Sequence, residues 1–204
     1  MLALGYDSND VYIIYDTDTL TDKYIVKFDK TSYINFENLS IRAFSDTASV
    51  VIEINNSNNI KLEKLVLTGI PKSMPHTETT KLLDLYGISD NITINKSRFV
   101  SGARGITTNW GANDSTNNLI ITNNLFEGYS FDAIAAYKVN NFTIKGNKIR
   151  QYENKNNAKG IFVNTIYGSL DISNNDIYLK DGINVRTGIE VKRYNGDNFN
   201  PGLI

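Results

Sequence analysis

Apolar residues return along this chain at short, fixed offsets. With the first apolar residue of each unit set at zero, others follow two and seven positions later, in copies beginning at Ile34, Ile60, Ile92, Leu119, Phe142 and Leu170. Two neighbouring copies show it most plainly: Asn118-Leu119-Ile120-Ile121-Thr122-Asn123-Asn124-Leu125-Phe126 and Asn141-Phe142-Thr143-Ile144-Lys145-Gly146-Asn147-Lys148-Ile149. A second apolar theme follows each copy, as Val51-Ile52-Glu53-Ile54, Leu82-Leu83-Asp84-Leu85, Gly105-Ile106-Thr107-Thr108, Ala133-Ile134-Ala135-Ala136, Gly160-Ile161-Phe162-Val163 and Gly188-Ile189-Glu190-Val191. A period of two predicts short strands, not helices, in both themes.

Successive copies are 26, 32, 27, 23 and 28 residues apart. This lies in the solenoid range but is irregular, so one turn of each unit varies in length while the strands do not. A single unit cannot bury its own apolar row. Stacked units bury a continuous column and pair their backbones with the rungs on either side. Asn124, Asn147 and Asn175, each preceded by Asn or Gly at 123, 146 and 174, predict a turn ladder. Both residue types tolerate left-handed backbone, and stacked amides can hydrogen-bond along a column of like turns.

With these features the chain resembles the right-handed parallel β-helix superfamily, the fold of pectate lyases, polygalacturonases, phage tailspikes and many bacterial surface proteins. The run Asn91-Ile92-Thr93-Ile94-Asn95-Lys96-Ser97-Arg98-Phe99 carries the likeness, which spans roughly Tyr24 to Arg193. Tyr24 to Phe28 followed by Ser32 to Ile41 is similar to the opening coils of large secreted β-helix proteins of Bacteroidetes-type bacteria. The resemblance implies an all-β, right-handed parallel β-helix of about seven coils. It is specific for fold, not for chemistry.

Charge narrows the choice of partner. The 21 basic and 22 acidic residues nearly cancel, which argues against a broad footprint for nucleic acid or an anionic membrane. No stretch is long and apolar enough to span a membrane. The absence of cysteine excludes disulfides, thiolate zinc sites and thiol catalysis. Residues Met1 to Asp7 lack the basic region and apolar run of a signal peptide. The whole chain reads as one domain: an irregular first coil over 1–31, regular coils over 32–199, and the start of a further coil over 200–204. The missing polar cap ahead of Val11 and the interrupted repeat at its end predict a piece of a longer solenoid, with other domains of that chain as possible neighbours.

Candidate chemistry follows from the strand alternation. In the second theme one outward column reads Glu53, Asp84, Thr107, Ala135, Phe162, Glu190, and the next reads Asn55, Tyr86, Asn109, Tyr137, Asn164, Lys192. Tyr86, Asn109, Trp110, Tyr137, Phe162, Asn164 and Lys192 are therefore candidate carbohydrate-binding residues. Ring faces can stack on pyranoses, while amides and cations meet hydroxyls and carboxylates. The plainer reading is an aromatic stack that only shields the sheet.

Two catalytic sets are also candidates. Glu53 and Asp84, one rung apart, match the carboxylate separation of retaining glycosidases, although acids on adjacent surface rungs are usually just solvated. Arg104, Asp132 and Lys159 share one position in successive units. A lyase would use Lys159 to abstract the proton α to a uronate carboxylate and Arg104 to stabilise the enolate; the plainer reading is an ion ladder. The paired aspartates and Gly-His-Gly of polygalacturonases and the Arg-x-Pro-x-x-Arg of pectate lyases are absent. His76, the single histidine, sits in a proline-bearing loop with no second histidine for a metal. No cofactor is expected; Asp181 and Asp197 could serve calcium only if the fold gathers several oxygens.

The expected function is a non-enzymatic extracellular or cell-surface module, adhesin-like, that binds polysaccharide, cell-surface glycan or a protein partner. A polysaccharide lyase or glycoside hydrolase and a trimeric phage tailspike segment are the alternatives.

Overall fold

The computed structural model describes residues 12–15, 24–43, 50–70, 80–109, 114–152, 157–180 and 186–195. Among them every element is a strand. A lone β1 (Tyr12–Tyr15) precedes a first rung of β2 (Tyr24–Asp29), β3 (Ser32–Glu37) and β4 (Ser40–Ala43). The next rungs are β5 (Val50–Asn55), β6 (Asn58–Glu63) and β7 (Val66–Thr68), then β8 (Lys81–Tyr86), β9 (Ser89–Asn95) and β10 (Arg98–Val100). A fourth contains β11 (Arg104–Thr108), β12 (Thr116–Thr122) and β13 (Leu125–Glu127). In the later rungs the first two strands run on as one: β14 (Asp132–Lys145) with β15 (Lys148–Gln151), and β16 (Lys159–Ser173) with β17 (Asp176–Leu179), before a last β18 (Thr187–Asn195).

Each strand pairs in parallel with its counterparts one rung away, so the chain is a parallel β-solenoid with three faces. β2, β5, β8, β11 and the first halves of β14 and β16 stack toward β18 on the first face. β3, β6, β9, β12 and the second halves of β14 and β16 form the second. β1, β4, β7, β10, β13, β15 and β17 form the third, a seven-stranded sheet. The turn before each first-face strand varies in length, but so does the one between the first and second faces, which is long between β11 and β12 and absent within β14 and β16, so the variation is not confined to a single turn.

The periodic apolar positions fill the interior. Ile60, Ile92, Leu119, Phe142 and Leu170 form one buried column of the second face, and Leu62, Ile94, Ile121, Ile144 and Ile172 form the next. The third face adds Ile41, Leu67, Phe99, Phe126 and Ile149, with the rings of Phe99 and Phe126 stacked at 4.7 Å. Each such side chain contributes about 1.5–3 kcal/mol by leaving water. The rows are continuous because like residues lie on like rungs.

The predicted turn ladder is present between the second and third faces. Asn123, Gly146 and Asn174 have φ of 55°, 67° and 55°. Beside them the Asn147 Oδ1 accepts from the Asn124 backbone N–H at 2.9 Å, and Asn175 Oδ1 accepts from the Asn147 N–H at 3.0 Å. The other ends are also satisfied: the Asn124, Asn147 and Asn175 Nδ2 groups donate to the carbonyls of Ile94, Ile121 and Ile144. Ser97 carries the ladder one rung further, its N–H donating to Asn124 Oδ1. A second, exposed ladder runs at the entrance to the second face, where Asn141 donates to Asn118, Asn118 to Asn91 and Asn91 to Asn59. Each of these four asparagines directly precedes the first apolar residue of its copy, and all four are left-handed.

Candidate functional site

The first face gathers the charged and aromatic candidates. Its strands bend at one residue: the position held by Val51, Leu82, Gly105, Ala133 and Gly160 is buried next to another buried residue, toward the third face. A Cβ on Gly105 would meet the Ala133 carbonyl oxygen and lie 2.7 Å from the Phe126 ring. Two consecutive inward positions bring the outward residues on either side, three apart in sequence, onto one surface.

The result is a pair of interlocking charged columns. One stacks Lys81, Arg104, Asp132, Lys159 and Thr187, rung on rung. The other stacks Lys27, Glu53, Asp84, Thr107, Ala135, Phe162 and Glu190. Both columns match the registers expected from the sequence, with rungs about 4.8 Å apart.

Each carboxylate of these columns already has a cation. Lys27 Nζ lies 3.1 Å from Glu53, and Lys81 Nζ lies 2.6 Å from Asp84, which also accepts from the Thr107 hydroxyl. Glu53 and Asp84 are thus rung neighbours, each with its own lysine. Arg104 Nε meets Asp132 Oδ2 at 2.8 Å, with the two side chains only 3% and 7% exposed, and the guanidinium carbon stands 5.5 Å from the Phe131 ring centroid. Lys159, the fourth member of that column, meets Glu190 at 2.7 Å.

Glu190 holds a second cation, Lys192, also at 2.7 Å. The hydrogen bonds from Lys159 and then Lys192 hold its carboxyl below the usual carboxylate range, against the desolvation that opposes them. Both ammonium groups also lie over the Phe162 ring, 4.2 Å and 5.5 Å from its centroid, and Tyr137 meets the ring edge-on at 5.3 Å. Lys192 is 55% exposed.

The amide and aromatic candidates divide. Tyr137, Asn164 and Lys192 stack in register, and so do Asn55 and Tyr86, the latter exposed. Phe162 is buried beneath the lysines. Asn109 does not join the outward column: it has φ of 43°, is 1% exposed, and donates through Nδ2 to Thr116. Strand alternation stops at Thr108, so it no longer fixes where the next side chain points. Trp110, His76, Asp181 and Asp197 lie outside the described residues, as does 200–204. Among the described residues no three His, Cys, Asp or Glu side chains gather as a metal site, and no helix is long and apolar enough to cross a membrane. Sequence reasoning did not name Lys27 and Lys81, the partners of Glu53 and Asp84; their places at the heads of the two columns were the available signal.

No family model matches the chain, and no curated protein sequence matches it. Among solved structures it is similar to that of PfbA, a surface adhesin of Streptococcus pneumoniae, at 10% sequence identity and a TM-score of 0.30, over 92% of this chain and 78% of that one.

Proposed function

We propose that this chain is a non-enzymatic β-solenoid module of a bacterial surface or secreted protein of the pectate-lyase-like type, and that it binds glycan along its first face. The observation that carries the reading is the cluster of Tyr137, Phe162, Asn164, Lys159 and Lys192 on the first face, with Tyr86 exposed further along it. Rings and amides repeated along a rigid solenoid suit an extended chain of pyranoses, whose apolar faces stack while its hydroxyls take hydrogen bonds. Rigidity lowers the ordering cost of binding.

The same geometry disfavours catalysis. A lyase would need Arg104 to reach substrate, yet its guanidinium is buried on Asp132. Lys159 is the cationic half of an ion pair with Glu190. Glu53 and Asp84, the glycosidase alternative, are each occupied by a lysine.

Retention on immobilised polysaccharides tests the proposal. Tyr137→Ala combined with Tyr86→Ala lowers retention about tenfold or more, the scale of losing two stacking contacts, while the melting profile stays that of the parent. Unchanged retention by the folded double variant would remove these rings from the site.

A further inference from the structure

We infer that Lys159 and Lys192, seated on Phe162, form an anion subsite for the carboxylates of an acidic polysaccharide, and that Glu190 fills it when no ligand is bound. The inference rests on the glycan reading and adds its ligand class and a resident competitor.

Stoichiometry is the first reason. Elsewhere on this face, among the described residues, Lys27 meets Glu53, Lys81 meets Asp84 and Arg104 meets Asp132, each carboxylate beside a single stacked cation of the two columns. Here two ammonium groups share one carboxylate, each at 2.7 Å, leaving one positive charge over among the described residues. The chain as a whole has a net charge of −1, so any preference for polyanions must come from a local excess of this kind.

Placement is the second. Phe162 lies under both cations, at 4.2 Å and 5.5 Å, and its π-face holds them at the surface. Tyr137 adjoins the ring, and Asn164 lies between Tyr137 and Lys192 in the outward column. A uronic acid residue whose ring rests on Tyr137 has its carboxylate within a rung of both lysines. Glu190 carries the group a uronate would present and holds it where the uronate would place it. A surface ion pair of this exposure is weak enough to exchange its anion.

The second face supplies a control. Glu63 there also meets two lysines, Lys61 and Lys96, but Glu37 pairs with Glu63 on the adjacent rung and acts on Lys61 as well. The excess is cancelled.

Binding is measured by biolayer interferometry on immobilised polygalacturonate, with a neutral β-glucan in parallel, for the parent chain and Glu190→Gln, Lys192→Gln and Lys61→Gln. Glu190→Gln should tighten polygalacturonate binding about threefold by removing the competing anion. Lys192→Gln should weaken it about tenfold, Lys61→Gln should leave it unchanged, and the neutral glucan should not respond to any of them. Weaker polygalacturonate binding by Glu190→Gln, or a parent chain with no preference for polygalacturonate over the glucan, overturns the inference while the glycan reading stands. Binding to neither polymer removes both. Lys192 is largely exposed, so Lys192→Gln keeps the test decisive even if Glu190→Gln folds poorly.

Discussion

Arg104, Asp132 and Lys159 stand on successive rungs of one column of the first face; Arg104 pairs with Asp132, while Lys159 pairs with Glu190, which Lys192 also meets, in the neighbouring columns of the next rung. Their residue types are alike and their consequences differ. The first pair is sealed beneath its neighbours, where the charges depend on each other and cannot exchange with solvent. The second group keeps Lys192 in water, so its ion pairs add little to folding but remain available to an incoming anion. Register decides which residues meet; cover decides whether the meeting is sealed or open to solvent.

The sharpest way to break that contrast is to strip one partner from each pair. Asp132→Ala removes the carboxylate that the buried Arg104 guanidinium meets and should cost about 3–5 kcal/mol in urea unfolding. Replacing both, Arg104→Met with Asp132→Leu, should recover most of the loss, since a buried pair and an apolar pair of similar volume are often close in stability. Asn147→Ala removes the acceptor for the Asn124 N–H and Nδ2 and should cost about 1–3 kcal/mol, read by the same unfolding curve. Glu190→Gln should change stability by only about 0.5 kcal/mol at neutral pH.

The exposed pairs also set a small pH dependence. Glu190, Glu63 and Asp176 have carboxyls depressed by their cations, Lys159 and Lys192, Lys61, and Arg150 respectively. Each binds fewer protons folded than unfolded, so its contribution is present above the ordinary carboxylate range and is lost as pH falls through the depressed value. Thermal unfolding should shift down only below about pH 4, and Glu190→Gln should shrink that shift slightly.

Much of this was legible before any coordinates. The offsets of the apolar residues predict the inner columns, and the Asn and Gly pairs at 123–124, 146–147 and 174–175 predict the buried ladder. The Glu53-to-Glu190 column follows from counting, because the first-face strands keep their register from rung to rung; the shift in β14 and β16 comes only between Asn140 and Phe142. What the pattern could not supply was depth. Asn109 reads as one more outward amide, yet it falls past the end of its strand, where the left-handed backbone turns it inward. Arg104 reads like Lys159, and only packing around Asp132 separates them. The outer ladder of Asn59, Asn91, Asn118 and Asn141 is marked in the sequence by the asparagine directly before four of the six copies.

The measurement that bears most directly on the central claim is size-exclusion chromatography of polygalacturonate incubated with the chain, with absorbance followed for unsaturated products. Binding without catalysis predicts polymer of undiminished length that co-elutes with the protein and gains no absorbance. Shortened polymer, or polymer that elutes apart from the protein, would contradict it.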